Sequence, residues 1–120
     1  MLKHKFLADD GILVIEPDAP LEASDFETLA REVDGHIAQH GDLKGLVIRA
    51  DAFPGWANLE AALAHFRFIQ SHHRHVAKLA VVSDNRLLTE APKLISHLVH
   101  PEVRHFPEAE YEAAVRWLKE

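Results

Sequence analysis

The chain contains no cysteine among its 120 residues. This absence excludes disulfide bonds, zinc sites built on thiolates and a cysteine nucleophile. Long hydrophobic runs are also missing, because no apolar stretch approaches the roughly 18 residues that span a bilayer. The first residues lack the apolar core of a signal peptide. We therefore expect a cytoplasmic protein, either free or peripheral to a membrane.

Positive charge is scarce as well. The sequence has 13 Lys and Arg against 19 Asp and Glu, which gives a formal net charge of −6. Such a chain has no general affinity for the phosphates of nucleic acids, so we expect no nucleic-acid partner. Hydrophobic residues make up 48% of the chain and charged residues 27%, a balance typical of a folded protein. The length predicts one domain over residues 1–120.

Strand and helix patterns alternate along the chain. Apolar runs typical of strands occupy residues 2–7, 12–16, 43–49, 76–82 and 103–106. Asp10-Gly11 is a hairpin signal between the first two runs. Helical periodicity follows each run from the second to the fifth. The order ββαβαβαβα predicts an α/β fold with one mixed, mostly parallel five-stranded sheet. Its first strand is an antiparallel edge, and four helices cover both faces.

The helix boundaries carry recognisable capping signals. Ser24, with Glu27 three residues later, has the capping-box pattern for the first helix, and Asn58 and Thr89 are the predicted N-caps of the second and third. Pro92 then falls in the first turn of the third helix, where proline is tolerated. One apolar stripe of the second helix is predicted to face the core, formed by Leu59, Ala62, Leu63, Phe66 and Ile69.

The stretch after the third strand carries two large aromatic side chains. Asp51 follows the apolar run, and Phe53-Pro54-Gly55-Trp56 reads as a turn. In α/β proteins, ligands usually meet the loops at the carboxyl ends of parallel strands. Phe68 lies about 200° around the second helix from Phe66, so it faces outward if Phe66 faces the core. We expect Phe53, Trp56 and Phe68 to form an exposed apolar patch beside Asp51, the alternative being that the loop rings fold onto the core.

Three parts of the chain resemble the SpoIIAA-like proteins, small bacterial domains related in fold to the anti-sigma-factor antagonists (STAS domains). They are Asp51-Ala52-Phe53-Pro54-Gly55-Trp56, the strand at 76–84, and 103–106 followed by 113–118. The resemblance covers nearly the whole chain. It implies a STAS-like, non-enzymatic domain that has an apolar cavity and no cofactor, and that binds a nonpolar small molecule or associates with a membrane surface.

The STAS relatives bind proteins under the control of a phosphorylated serine or threonine at the start of the helix after this strand. No hydroxyl side chain occurs between Ala50 and Gln70, so this phosphorylation switch does not carry over. The alternative function is therefore a protein–protein interaction or homodimerisation domain in regulation that works without a phosphoserine and uses the same aromatic surface.

Acidic residues raise one metal hypothesis. Asp18, Asp51 and Asp84 each follow a strand, and in this fold class their carboxylates could meet at one sheet edge and hold Mg²⁺, which resembles the response-regulator receivers. The chain departs from that group because no lysine ends its last strand. We expect the aspartates to cap turns instead.

Ten histidines are the other candidates for metal binding, notably the pair His36 and His40 and a cluster near the end of the second helix, His65, His72, His73 and His75. No H-E-x-x-H pattern accompanies them, so we expect solvated helix ends and no metal. Serines lie outside any G-x-S-x-G elbow, and the five glycines form no phosphate loop. The sequence gives no positive indication of an enzyme.

Overall fold

The computed structural model describes residues 2–7 and 11–120, and its elements follow the predicted order. Asp10 of the predicted hairpin turn lies outside the described residues. The strands are β1 Leu2–Leu7, β2 Ile12–Pro17, β3 Leu43–Arg49, β4 Val76–Val82 and β5 Glu102–Phe106. The helices are α1 Ala23–His40, α2 Leu59–His72, α3 Arg86–Ile95 and α4 Tyr111–Lys119. Short 3₁₀ turns at His73–His75 and Glu108–Glu110 precede β4 and α4.

The five strands form one sheet in sequential order, β1-β2-β3-β4-β5. The β1–β2 pair is antiparallel and the other three pairs are parallel, which confirms the predicted mixed sheet. Because successive right-handed crossovers advance in one direction, α1, α2 and α3 lie on one face and α4 on the other. Neighbouring residues of β5 agree with this: Phe106 packs 5.7 Å from Trp117 of α4, whereas His105 contacts Thr89 of α3.

Each face of the sheet has its own apolar layer. Successive residues of β2 alternate between the two layers, which is why this strand reads as a continuous apolar run. The layer under α4 contains Ile12, Val14, Val47, Ala80, Val82, Phe106, Ala114, Trp117 and Leu118. The layer under α1 contains Leu13, Ile15, Leu29, Val33, Leu43 and Val76.

Close packing of α4 on β3 depends on Gly45. A β-carbon at this position would lie 2.9 Å from Cβ of Leu118 and 2.7 Å from Cδ2 of the same side chain. We expect Gly45→Ala to lower the free energy of unfolding by about 2 kcal/mol in urea denaturation, because overpacking forces the helix away from the sheet. Gly35→Ala is the matched control, since nothing lies within 4 Å of its β-carbon. It should instead raise stability by about 0.5 kcal/mol, as alanine does inside a helix. Equal stability for the two variants would contradict this packing.

The start of α1 differs from its prediction. Its N-cap is Glu22, not Ser24, because Glu22 and Asp25 exchange both bonds of a capping box. The predicted pairing of Ser24 with Glu27 is therefore wrong by two residues. The predicted end is confirmed: Gly41 terminates the helix with a φ of 87°, a backbone conformation that side chains with a β-carbon rarely adopt.

The start of α3 also differs. The N-cap lies four residues earlier than predicted, at Asn85, whose side chain accepts the N–H of Leu87 at 3.0 Å. The Thr89 hydroxyl, predicted to cap, donates instead to the Asn85 carbonyl at 3.0 Å. Pro92 consequently lies inside the helix, where it removes one backbone donor.

Candidate functional site

The aromatic loop, residues 50–58 between β3 and α2, is held by backbone hydrogen bonds. The N–H of Leu21 donates to the Gly55 carbonyl and the N–H of Ala57 donates to the Leu21 carbonyl, each at 2.8 Å. Gly55 has a φ of 83°, the value that the third residue of a Pro-Gly type II turn needs. These bonds fix the loop against the segment that leads into α1, and Asn58 then caps α2 as predicted.

Both rings of the aromatic loop remain partly open to solvent. Phe53 and Trp56 are 46% and 47% exposed, and their rings pack edge to face with centroids 5.0 Å apart. The indole Nε1–H of Trp56 donates to Nδ1 of His65 in α2 at 3.1 Å. The rings are therefore held in place without being buried in the core.

A row of rings continues from Trp56 into the α1–α2 interface. His65 stacks on Phe26 of α1 at a centroid distance of 4.7 Å, and Phe26 lies 6.1 Å from Phe68. Phe68 in turn stacks on His72 at 4.4 Å. The row connects the partly exposed loop to a buried anchor, because Phe26 belongs to the core.

His72 corrects the prediction of a solvated helix end. Its side chain is buried, with Nε2 2.8 Å from Oδ1 of Asp34 and Nδ1 2.9 Å from the Phe68 carbonyl. Both polar atoms of the ring thus have partners on or beside the helix pair, which is how a buried polar ring is tolerated.

The predicted facing of α2 is wrong. Phe68 is half-buried and packs against the layer under α1, whereas Phe66 is 63% exposed. The helix has apolar side chains on two opposite faces, and α1 selects the face that offers Ala61 for close approach and Phe68 for the Phe26 ring. Phe68 therefore lies outside the exposed patch that the sequence predicted. Its predicted contact role, like that of Asp51, Phe53 and Trp56, stays a prediction.

The other apolar face of α2 points to solvent. Leu59, Leu63 and Phe66 lie at i, i+4 and i+7, so they form one outer stripe. Leu87, Leu94 and Leu98 make a similar exposed set on α3 and the turn after it. Sequence periodicity identified the α2 stripe, but it assigned that stripe to the core.

Asp51 lies in a polar environment. It lines an open pocket of about 590 Å³ at the carboxyl ends of β2 and β3, with further ionisable groups around it: Lys3, Glu16, Asp18, Arg49 and Glu108. Nε of Arg49 donates to Glu108 at 2.7 Å, and this hydrogen bond raises the pKa of the guanidinium above its ordinary value. The pocket beside the start of the aromatic loop is thus charged, not apolar.

A smaller open groove of about 250 Å³ runs between α1 and α2. Phe26, Ala30, Ala64 and Phe68 give it apolar walls, and it also reaches charged and polar side chains, namely Glu27, Arg67, Ser71 and His72. Phe68, which the sequence analysis predicted to be a contact residue, lines this groove.

The three aspartates of the magnesium hypothesis do not form one site, because Asp18 and Asp51 line the 590 Å³ pocket and Asp84 does not. Asp84 accepts the N–H of Glu108 at 3.0 Å, and Asp18 pairs with Lys3 at 3.4 Å. Asp84 therefore caps a turn, as expected of a loop aspartate. Across residues 2–7 and 11–120, no three His, Cys, Asp or Glu side chains are arranged to hold a metal ion.

None of the helices in the described part of the chain has the length and apolar character needed to cross a bilayer.

No curated protein matches the sequence. A solved structure that is similar in fold is an uncharacterised protein of the DUF3478 family with a SpoIIAA-like fold, from Shewanella loihica PV-4. It superposes with a TM-score of 0.78 at 19% identity, over 98% of this chain and 92% of that one. The SpoIIAA-like family model matches residues 12–119. With this match over most of its length, and with the predicted strand and helix order observed, the chain belongs to the SpoIIAA-like family.

Proposed function

We propose that this protein is a non-enzymatic module that docks reversibly on a membrane surface through the aromatic loop and the outward faces of α2 and α3. One observation carries the proposal. Among the described residues, all eight exposed large apolar side chains lie between residues 53 and 98, in the aromatic loop, α2, α3 and the turn after α3: Phe53, Trp56, Leu59, Leu63, Phe66, Leu87, Leu94 and Leu98. Exposed apolar surface concentrated in this way is uncommon on a protein that has no partner.

The residue types favour a lipid interface as the partner. Tryptophan suits the headgroup region, because its ring is apolar and its N–H can stay hydrated. The α2 stripe has the spacing with which an amphipathic helix lies on a bilayer. Burying four of these partly exposed side chains, at about 1 kcal/mol each, would stabilise binding by about 4 kcal/mol, which is in the range of reversible attachment.

The charge distribution is consistent with this partner. Residues 56–100, which contain both helices, carry five Lys and Arg against three Asp and Glu, whereas the whole chain has 13 against 19. Most of the negative charge therefore lies outside residues 56–100, and Asp51 with its acidic neighbours Glu16 and Asp18 is the part of it that lies beside the aromatic loop. An anionic leaflet repels this side less than the net charge suggests.

The pockets favour a surface over an enclosed ligand site. The 590 Å³ pocket is lined by six ionisable side chains, and the 250 Å³ groove is smaller than sites that enclose a typical small ligand. A nonpolar small molecule would therefore bury less of its apolar surface in these pockets than the exposed side chains would bury in a bilayer.

Sedimentation with vesicles of phosphatidylethanolamine and phosphatidylglycerol tests the proposal. We expect the protein to pellet with the vesicles in proportion to lipid concentration. Protein that stays in the supernatant at all lipid concentrations would overturn the proposal.

Analytical ultracentrifugation in the absence of lipid distinguishes the alternative, because a stable dimer that protects Trp56 from quenching by acrylamide would assign the same surface to homodimerisation.

A further inference from the structure

The hydrogen bond between Trp56 and His65 links the aromatic loop to a titratable group. The indole N–H is only a donor, so Nδ1 of His65 must be an unprotonated acceptor for the 3.1 Å contact to form. The ring as described is therefore neutral, with its proton on Nε2. Protonation of Nδ1 would place two donors against each other and break the bond.

The surroundings of His65 disfavour the charged ring. Phe26 covers it from α1 and Trp56 from the aromatic loop, and both are uncharged. The residues one turn away on α2 are Ala61, Ala62, Phe68 and Ile69. The groups that titrate or carry charge nearby line the adjoining groove: Glu27, Arg67 and His72.

Burial lowers the pKa of His65 below its ordinary value. The stabilisation that the neutral ring contributes is complete above the ordinary histidine value, where both folded and unfolded chains are neutral. It is lost as the pH falls through the lowered folded value. Acidification therefore weakens the attachment of the loop to α2.

We propose that His65 is the positioning residue of the aromatic loop: when neutral it holds Trp56 against α2, and when protonated it releases the indole ring to enter a lipid surface. This inference rests on the proposed function, which supplies the lipid surface. It adds that the docking of the loop depends on pH through one side chain, although the chain has ten histidines.

Proton–nitrogen NMR spectra of the indole groups test the release directly. We expect the Trp56 indole resonance, assigned by its loss in Trp56→Phe, to shift with the titration of His65 as the pH is lowered from about 8 through and below the ordinary histidine value. His65→Gln keeps an acceptor that does not titrate, so its indole resonance should stay at the bonded position. His65→Phe keeps the stacking on Phe26 without an acceptor, and its resonance should stay at the released position.

Binding to phosphatidylcholine vesicles tests the consequence, since a zwitterionic surface limits the effect of charging the other histidines. We expect binding of the unmodified protein to tighten about fivefold on acidification, the factor that one hydrogen bond represents. Binding by His65→Gln should not change. An indole resonance that ignores pH, or that shifts equally in His65→Gln, would overturn the role of His65. A shifting resonance without vesicle binding at any pH would support that role and overturn the proposed membrane function.

Discussion

Replacing Phe53, Trp56 and Phe66 with serine should weaken vesicle binding about a hundredfold. Each side chain has roughly half or more of its surface exposed, so burying that apolar surface in the bilayer would contribute about 1 kcal/mol of binding free energy per ring. The sum of about 3 kcal/mol corresponds to that factor. Vesicle sedimentation over a range of lipid concentrations measures the change.

The control for this variant lies on α4, across the sheet from the proposed surface. Glu112→Ser with Arg116→Ser alters two exposed side chains there and leaves the net charge unchanged. Its vesicle binding should equal that of the unmodified protein. Circular dichroism of the triple-serine variant should show an intact fold, because the substituted rings lie outside both core layers. Full vesicle binding by the folded triple variant would contradict the proposed surface.

Serine at Phe68 should lower the free energy of unfolding by about 2 kcal/mol or more, whereas serine at Phe66 should change it by less than about 0.5 kcal/mol. The difference follows from their facing: Phe68 packs between Phe26 and His72, and Phe66 projects into solvent. Urea denaturation of the two single variants measures it, with the unmodified protein as reference.

The pair is a matched test because the substitutions are chemically identical and two residues apart on one helix. Vesicle binding should respond in the opposite order, with Phe66→Ser weakened and Phe68→Ser, where folded, unchanged. If the stability losses were reversed, α2 would present the stripe that contains Phe66 to the core. The exposed set on that helix would then have to be assigned anew.

Strand positions were predictable because their signal is local. The runs at 43–49 and 76–82 are bounded by polar residues and glycine or histidine, and β3 and β4 occupy the same residues in the structure. Capping was less predictable. Several residues near each helix start can accept a backbone N–H, and the choice of Glu22 over Ser24 depends on which reciprocal bonds form.

The facing of α2 illustrates what periodicity cannot settle. Leu59, Leu63 and Phe66 form a convincing apolar stripe, yet the opposite face, with Ala61 and Phe68, packs on α1. The choice depends on a partner ring, Phe26, that lies in another helix. For the same reason His65 escaped notice as part of the site, because its contact with Trp56 appears only once the loop folds back on α2.

Quenching of Trp56 by brominated lipids is the most direct test of membrane docking. The other tryptophan, Trp117, belongs to α4 and is buried against the opposite face of the sheet, so Trp56→Phe leaves only the emission of Trp117. We predict that vesicles with bromine in the upper acyl chain quench the emission of the unmodified protein and leave that of Trp56→Phe unchanged. If the unmodified protein emits equally with brominated and with ordinary vesicles, that result would contradict the account.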